Sequence, residues 1–324
     1  MIKGLGTALI TPFDANGKVD YEALARLLDT QLTGFVDYLV VLGTTGEAAT
    51  LTTEEKKEVR QFIVHYVHTH PVPSLEGRPG GVIPLVLGVG GNCTAVVCES
   101  LKTIDLTGYE AILSVCPYYN KPNQEGLYQH FCKVAEASPI PVILYNVPGR
   151  TGVNLLPETV MRIYEAQPDK IIGIKEASGN IEQIKKLIQL SNTPSLEGRD
   201  GEGFPPLLVI SGDDGIACEV MQAGGAGLIS VASNAFPEDF WHIVHDKDRA
   251  LQTKYDEMVK LLFAEGNPVG IKAVLTQKGI IQNYLRLPLV PASEELKERI
   301  KEYNKKSSHD CELIFFCKNY PRIS

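Results

Sequence analysis

A lysine ends a short apolar run in the segment IIGIKEASGN, residues 171–180. The β-branched residues Ile171, Ile172 and Ile174 are typical of a buried strand, and a Gly-containing turn follows them. A single lysine after a strand usually begins a loop and points into water, since lysine is rarely fully buried. If Lys175 lies in an apolar interior instead, its neutral form is favoured, and a neutral amine can attack a ketone to form a Schiff base.

Other polar groups follow apolar runs elsewhere in the chain. Residues 43–47 read GTTGE and residues 116–122 read CPYYNKP, each directly after such a run. Two further runs end in YNVPGRT, residues 145–151, and in SGDD, residues 211–214. Tyrosine hydroxyls can shuttle protons, and threonine hydroxyls beside backbone N–H groups suit a small carboxylate. An arginine can bind a second carboxylate through two hydrogen bonds.

Eight short apolar runs alternate with amphipathic segments along the chain. The runs occupy residues 4–13, 38–43, 83–90, 111–117, 141–148, 171–177, 207–214 and 227–233. Between them, apolar residues recur every three or four positions, which is typical of helices. Strands alternating with helices form parallel βαβ units, and eight such units predict an α/β fold of the TIM (β/α)8 barrel type. The alternative is an open doubly wound sheet, but no Gly-rich phosphate turn follows the first run.

The barrel fold bears on the polar residues, because TIM barrels carry their reactive groups at the C-terminal ends of the strands. The polar ends of the runs would then meet at one mouth, and Lys175 becomes a candidate nucleophile rather than a surface lysine. Thr44 and Tyr145 are expected to work with it at this mouth. Asp213 and Asp214 are expected to be helix N-caps rather than catalytic groups.

The domain prediction places the barrel at residues 1–233, a C-terminal helical extension at 234–305 and an irregular tail at 306–324. The extension contains amphipathic segments for at least three helices, whereas the tail has no clear hydrophobic period. The hexapeptide PSLEGR occurs twice, at 73–78 and 194–199, in Gly/Pro-rich loops that precede strands. We expect both loops on the N-terminal face of the barrel as tolerated surface insertions.

Composition excludes several classes of protein. The chain has 324 residues, 44% of them hydrophobic, and a formal net charge of −8, so it lacks the basic face that nucleic-acid binding needs. No apolar run reaches the ~18 residues of a membrane span, and the start MIKGLGTALITPF lacks the core of a signal peptide. Seven scattered cysteines without a C-x-x-C pair predict free thiols in a reducing cytoplasm. The cluster His65, His68 and His70 has no partners at ligand spacing, so no metal site is expected.

The motifs GTTGEAATL, CPYYNKP, YNVPGRTG and GIKEASGN, in this order and spacing, closely resemble the dihydrodipicolinate synthase family. The likeness covers about residues 1–300, and SGDD and GLISV also match. This resemblance implies a lyase that condenses pyruvate with L-aspartate 4-semialdehyde in lysine and diaminopimelate biosynthesis. The wider superfamily consists of class I (Schiff-base) aldolases that use pyruvate, including sialic acid lyase.

The resemblance also implies roles for the catalytic residues. Lys175 would form the Schiff base with pyruvate, and Tyr145 would donate and accept protons there. Thr44 would link Tyr145 to Tyr119 in a proton relay. In this family the tyrosine matching Tyr119 reaches in from a neighbouring subunit, which implies a homotetramer built as a dimer of dimers.

The implied substrate-binding residues lie in the same motifs. Thr45 would hold the carboxylate of pyruvate, and Arg150 would hold that of the semialdehyde. Gly212 and Ile229 would contribute backbone carbonyls near the lysine. No metal or organic cofactor is implied, because the lysine itself serves as the electron sink.

Two other functions compete with the synthase. One is a related pyruvate-dependent aldolase, such as sialic acid lyase or a 2-keto-3-deoxy sugar acid aldolase, and Arg150 in its NVPGRT context favours the synthase over these. The other is a catalytically silent barrel that binds a small metabolite, which the presence of both Lys175 and Tyr145 disfavours.

The sequence departs from the family pattern in the pocket where lysine inhibits sensitive members. Those members carry Ser, His, His and Glu where this chain has Ala48, Thr53, Lys56 and Val96, whereas Ala49, Asn92 and Tyr118 still match. Lys56 would repel a cationic effector, and Val96 removes a carboxylate that could pair with its amine. We therefore predict weak or absent inhibition by lysine.

Overall fold

The computed structural model describes residues 2–74, 80–192 and 205–319, with side chains described as far as residue 306. Its core is a closed barrel of eight parallel strands in sequence order, with the last strand paired to the first. The strands are β1 Gly4–Ala8, β2 Tyr38–Val41, β3 Leu85–Gly88, β4 Ala111–Val115, β5 Val142–Asn146, β6 Ile171–Glu176, β7 Leu208–Ser211 and β8 Gly227–Ser230. The predicted TIM barrel is therefore confirmed.

Helices surround the barrel and continue beyond it. They are α1 Tyr21–Thr33, α2 Thr53–Thr69, α3 Thr94–Thr103, α4 Gln124–Ala137, α5 Pro148–Thr151, α6 Pro157–Ala166, α7 Ile181–Ser191, α8 Ala217–Gln222, α9 Pro237–His245, α10 Arg249–Phe263, α11 Val269–Gln277 and α12 Glu294–Asn319. Four single-turn 3-10 helices follow strands within the described residues, at Thr44–Gly46, Ala48–Thr50, Asp214–Ile216 and Ala232–Asn234. Within the described residues, no helix is both long and apolar enough to cross a membrane.

Local sequence accounts for these elements. In α1, Leu24, Leu27 and Leu28 lie on one face at helical spacing and are buried against the barrel. Asp20 caps the helix, because its side chain accepts a hydrogen bond from the Ala23 N–H at 2.9 Å. The strands are apolar on both faces, as expected where parallel strands are covered by helices outside and packed on each other inside.

The C-terminal helices lie over one side of the barrel mouth. The predicted boundary at residues 233 and 234 separates α9 from the barrel, yet α9 packs against β1 and β8 and completes the outer layer. The extension therefore begins with α10, which packs on α11, α12 and the turn Asp214–Ile216. Because α11 contacts the turn Ala232–Asn234, the extension meets the C-terminal ends of β7 and β8.

The tail differs from its prediction. Residues 306–324 were expected to be irregular, but α12 continues to Asn319. The segment from Glu294 to Asn319 contains no glycine or proline, so nothing in it breaks a helix once one has begun. The second PSLEGR hexapeptide, and the first apart from Pro73 and Ser74, fall outside the described residues.

Candidate active site

Strands β5 and β6 place a tyrosine beside a lysine at the mouth of the barrel. Tyr145 and Lys175 are paired in the parallel register, and each is only 6% exposed. The Lys175 Nζ atom lies 4.5 Å from the centroid of the Tyr145 ring. Among the described residues, Lys175 forms no ion pair with a carboxylate. The lysine is thus held away from water against an aromatic ring.

The ends of β7 and β8 close around this lysine. A Cβ atom added to Gly212 would lie 2.9 Å from Lys175 Cε and 2.5 Å from the Cβ of Ala177, so a side chain does not fit there. Ile229 on β8 is buried in the apolar cluster that fills the barrel and includes Tyr145. The structure therefore brings Gly212 and Tyr145 close to Lys175, and Ile229 lies in the same apolar cluster as Tyr145.

The turn after β2 carries the two threonines. Thr44 is exposed, whereas Thr45 is buried and its Oγ1 accepts a hydrogen bond of 2.9 Å from Asn267 Nδ2. The turn is also held by the segment after β1, because Thr11 Oγ1 donates to the Gly46 carbonyl at 2.7 Å. Thr45 is consequently fixed from two sides.

Asn267 is a site residue that the sequence patterns did not reveal. Besides donating to Thr45, its backbone carbonyl accepts a hydrogen bond of 3.4 Å from Nη2 of Arg150, which lies on α5. It thus contacts both residues that are expected to bind substrate carboxylates. The only local signal was an Asn-Pro pair just before α11, and that pattern marks a turn rather than a site.

A second buried lysine lies beneath the same turn. Lys272 on α11 and Glu47 form an ion pair whose side chains are both 0% exposed. The Lys272 Nζ also donates to the Tyr284 carbonyl at 3.0 Å and lies 4.3 Å from the centroid of the Phe13 ring. Burial lowers the pKa of Lys272 to about 8, against the opposing attraction of the Glu47 charge. The partner of Glu47 thus comes from the extension and not from its own turn.

Arg286 fixes the same region from the segment after α11. Its Nη1 donates to the Thr50 carbonyl at 2.9 Å and to Glu55 Oε2 at 2.8 Å. Its backbone N–H reaches Glu47 Oε2 at 3.3 Å. Hydrogen bonding to this guanidinium lowers the pKa of Glu55 to about 2. The extension therefore supplies two cations and one amide to the turn that carries Thr44 and Thr45.

Tyr119 does not join the site within one chain. It follows β4, is 90% exposed and adopts a left-handed backbone with φ 74°. The hydrogen bonds between described residues include none from Tyr145 to Thr44 or to Tyr119. The relay of Thr44, Tyr145 and Tyr119 therefore stays a prediction.

The two aspartates after β7 have different roles. Asp213 caps the turn as expected, accepting from the Gly215 N–H at 2.8 Å. Asp214 is buried and instead accepts from Ser230 Oγ at 2.5 Å and from the Val231 N–H at 3.0 Å. Burial raises the pKa of Asp214 to about 6, although these hydrogen bonds favour its charged form. Asp214 therefore ties β7 to the end of β8 and does not cap a helix of its own.

The histidines singled out in the sequence bond within their own helix. His68 Nδ1 lies 2.7 Å from the Val64 carbonyl oxygen, and His70 stacks on Tyr66 with 4.2 Å between ring centroids. In the part of the chain that the structure describes, no cluster of three His, Cys, Asp or Glu side chains could hold a metal ion.

A cavity of about 660 Å³ lies at the opposite end of the barrel. It is lined mainly by apolar residues at the N-terminal ends of strands, including Ile171 and Leu207. None of the candidate site residues contributes to it. It lies where the strands begin, an end that serves stability rather than chemistry in TIM barrels.

Comparison with known proteins gives one consistent answer. The sequence model described as the dihydrodipicolinate synthetase family matches residues 1–307. A 4-hydroxy-tetrahydrodipicolinate synthase from Parabacteroides distasonis is 47% identical over 317 residues, which cover 96% of this chain and 98% of the relative.

Solved structures agree with the sequence comparison. The crystal structure of dihydrodipicolinate synthase from Thermotoga maritima matches with a TM-score of 0.84 and 38% identity, covering 95% of this chain and 99% of that one. The chloride-inhibited enzyme from Acinetobacter baumannii, complexed with pyruvate, has a TM-score of 0.84, 36% identity and the same two coverages. These matches confirm the resemblance seen in the motifs, and the chain belongs to the dihydrodipicolinate synthetase family.

Proposed function

We propose that this chain is a 4-hydroxy-tetrahydrodipicolinate synthase, which condenses pyruvate with L-aspartate 4-semialdehyde. The observation that carries the proposal is the buried Lys175 amine, which lies 4.5 Å from the Tyr145 ring centroid without a carboxylate partner among the described residues. Relatives covering nearly the whole chain bear this name, and a similar structure contains pyruvate. Both support pyruvate as the first substrate.

The first half of the reaction activates pyruvate on Lys175. The neutral amine adds to the C2 carbonyl carbon, and loss of water leaves a Schiff base between Nζ and C2. Tyr145 supplies and removes the protons for addition and dehydration. The Thr45 hydroxyl and neighbouring N–H groups hold the pyruvate carboxylate. Loss of a proton from C3 then gives the enamine.

The second half joins the two substrates and releases the lysine. The enamine C3 attacks the aldehyde carbon of the semialdehyde, whose oxygen takes a proton and becomes the 4-hydroxyl group. The semialdehyde amine then attacks C2, closes the ring and expels the Lys175 amine, which returns the enzyme to its starting state. Arg150 binds the semialdehyde carboxylate and so selects this aldehyde.

We further propose that the chain works as a homotetramer in the cytoplasm. Tyr119, with 90% of its surface exposed, and the half-exposed Tyr118 are adjacent exposed aromatic residues after β4, and Val96 on α3 is also exposed. Exposed apolar groups of this kind are typical of an interface. A second subunit docked there could deliver Tyr119 to the mouth. Free thiols at all five cysteines that the structure describes agree with a reducing compartment.

The rival activity is cleavage of a 2-keto-3-deoxy sugar acid or of sialic acid by the same Schiff-base chemistry. Arg150 lies at the mouth, bonded to the carbonyl of the buried Asn267, where it suits a short dicarboxylic product better than a polyhydroxyl chain. An assay of both aldehyde classes with one enzyme preparation separates the two activities. Turnover of sugar acids without turnover of aspartate semialdehyde would leave only the rival.

Borohydride trapping tests the proposal directly. The enzyme is incubated with pyruvate and borohydride, and its peptides are mapped by mass. We expect the reduced pyruvate adduct on Lys175, whereas lysines elsewhere, including the buried Lys272, stay unmodified. Absence of an adduct, or an adduct on another lysine, would overturn the mechanism.

A further inference from the structure

Glu176, the residue after the proposed nucleophile, is a fully buried carboxylate without a cation. Within the described part of the chain it forms no ion pair, and its oxygens accept three hydrogen bonds from neutral donors. Oε1 accepts from the Ser178 N–H at 2.8 Å, and Oε2 accepts from Asn146 Nδ2 at 2.9 Å and Gln183 Nε2 at 3.0 Å. Burying an unpaired charge is costly, so its place beside Lys175 calls for an explanation.

Glu176 and Asn146 are paired across β5 and β6 in the same way as Lys175 and Tyr145. Tyr145 pairs with Lys175 across the ladder, and Asn146 pairs with Glu176 at the next step. Successive strand residues point to opposite faces, so the first pair faces the barrel interior and the second faces the outer layer. The hydrogen bond between Asn146 and Glu176 therefore clamps β5 to β6 directly behind the two reactive side chains.

Further amides extend this clamp to a helix and a loop. Asn146 Nδ2 also donates to Asn154 Oδ1 at 2.7 Å, and Asn146 Oδ1 accepts from the Leu155 N–H at 2.9 Å. Asn154 and Gln183 exchange two hydrogen bonds of 2.8 and 3.1 Å. The segment that leaves α5, which carries Arg150, is thus joined to α7 and to both strands.

The donor pattern requires an acceptor at this position. All three groups that bond to Glu176 are N–H donors, and only a carboxylate offers acceptors on both oxygens. A glutamine of the same shape would turn an NH2 group toward other NH2 groups. The Glu176 carboxyl group also affects Cys116, which follows β4. Burial is the main cause that raises the pKa of the Cys116 thiol, and Glu176 adds to it.

We propose that Glu176 is a positioning residue that aligns Tyr145 with Lys175 by holding Asn146 across the strand pair. This inference rests on the proposed Schiff-base function and names a residue that the reaction uses without touching substrate. Proton transfer between a tyrosine and a lysine adduct depends steeply on distance, so a small slip of β5 against β6 weakens catalysis. Pyruvate binding depends on the turn after β2 and is largely unaffected by such a slip.

Glu176→Gln tests the role with almost no change in shape. Whichever way the new amide turns, its NH2 group opposes at least one N–H donor, because Ser178, Asn146 and Gln183 all donate to Glu176. We expect kcat to fall about 10- to 100-fold, while KM for pyruvate changes less than about threefold. The rate of trappable adduct formation at Lys175 should fall together with kcat.

Asn234→Asp is the matched control. Asn234 is equally buried, and its Nδ2 donates to the carbonyls of Ala8 at 2.8 Å and Val231 at 2.9 Å, neither of which lies on β5 or β6. This substitution is also isosteric. It places a carboxylate oxygen against the two carbonyl oxygens, whereas Glu176→Gln places an N–H donor against another N–H donor. We expect a loss of thermal stability like that of Glu176→Gln, with kcat within about threefold of wild type where the protein is folded.

A rescue variant distinguishes positioning from general damage. Glu176→Gln combined with Gln183→Glu returns a carboxylate to the network at the position of a direct hydrogen-bond partner of residue 176. We expect this double variant to recover part of kcat. If Glu176→Gln does not fold, Gln183→Leu removes one donor more mildly and should lower kcat about 3- to 10-fold.

The outcomes are separable from those of the proposed function. A folded Glu176→Gln with kcat within about twofold of wild type, or a loss no larger than that of Asn234→Asp, would overturn the positioning role. A folded Gln183→Leu with full kcat would do the same. Failure to trap pyruvate on Lys175 in the wild-type enzyme would instead overturn the function on which this inference rests.

Discussion

The protein buries two lysines, Lys175 and Lys272, among different neighbouring groups. Lys175 at the end of β6 lies against the Tyr145 ring and has no carboxylate partner in the described residues. Lys272 on α11 is fully enclosed and paired with an equally enclosed Glu47. Both amines are kept from water, but only Lys272 has a carboxylate beside it among the described residues, and the Glu47 charge opposes the fall in the Lys272 pKa that burial causes.

The difference shows that burial alone does not make a nucleophile. The Lys272 ammonium group is bound by the protein itself, because it pairs with Glu47 and donates a hydrogen bond to the Tyr284 carbonyl. Lys175 has no such partner among the described residues, and the absence of a side chain at Gly212 leaves its Cε atom uncrowded. The proposed function gives chemistry to Lys175, whereas Lys272 and Glu47 fix the turn that carries Thr45.

The largest expected effect comes from Lys175→Met. Removing the nucleophile should lower kcat/KM by about 10⁴-fold or more and abolish trapping of pyruvate. The free energy of unfolding should stay within about 1 kcal/mol of wild type or rise, because no paired charge is left behind. Urea unfolding beside the activity assay checks both statements. A variant that keeps its activity would make the chain a silent binder or place the chemistry elsewhere.

Tyr145→Phe asks whether the neighbour of Lys175 is an acid–base group or only a packing surface. Loss of the hydroxyl should lower kcat about 10²- to 10⁴-fold, because proton transfer loses its carrier while the ring still covers the amine. Steady-state kinetics with both substrates measure the effect. A kcat near that of wild type would assign the proton transfers to another group.

Lys272→Met applies the same substitution to the second lysine and should reverse the pattern. It leaves Glu47 buried and uncompensated, so we expect a loss of about 3–5 kcal/mol in the free energy of unfolding. At a temperature where the variant is folded, pyruvate should still be trapped on Lys175. Replacing Glu47 by Gln in the same protein should return part of the lost stability. Equal stability of wild type and Lys272→Met would mean that the pair does not support the fold.

The smallest effect is a dependence of stability on pH between about 8 and 10.5. With its pKa lowered to about 8, Lys272 loses its proton in the folded protein, whereas the unfolded chain keeps it up to the ordinary value of 10.5. The unfolded state then binds more protons, so the contribution of this group to stability rises with pH across that window. The free energy of unfolding of wild type relative to Lys272→Met should rise by at most about 1.4 kcal/mol per pH unit. A flat or falling difference would contradict the lowered pKa.

Sequence predicted the barrel well because its signal is local and repeated. Each strand is a short apolar run and each helix has its own period and cap, as Asp20 and Thr52 show. The motif residues follow from the same logic, since the C-terminal ends of parallel strands share one mouth. Gly212, Tyr145 and Lys175 meet there for this reason.

The residues that sequence did not reveal depend on contacts between distant segments. Asn267 reaches Thr45 across 222 positions and Lys272 reaches Glu47 from the same helical extension. No periodicity links such positions, and a charged residue in an amphipathic helix is normally expected on its exposed face. Glu176 was hidden for a related reason, because its neutral partners lie on another strand and a helix. The helical end of the tail was missed because a helix without an apolar stripe has no period.

Asn267 is synthesised after Tyr145 and Lys175, and this order bears on the proposed reaction. A ribosome that has completed β8 has already made Lys175 and Tyr145, but the amide that meets Thr45 and Arg150 does not yet exist. Under the proposed roles, the nascent chain therefore possesses its nucleophile before its carboxylate-binding groups are assembled. A stalled product that ends before Asn267 would then be a barrel with the Lys175 amine and without the residue that meets Thr45 and Arg150.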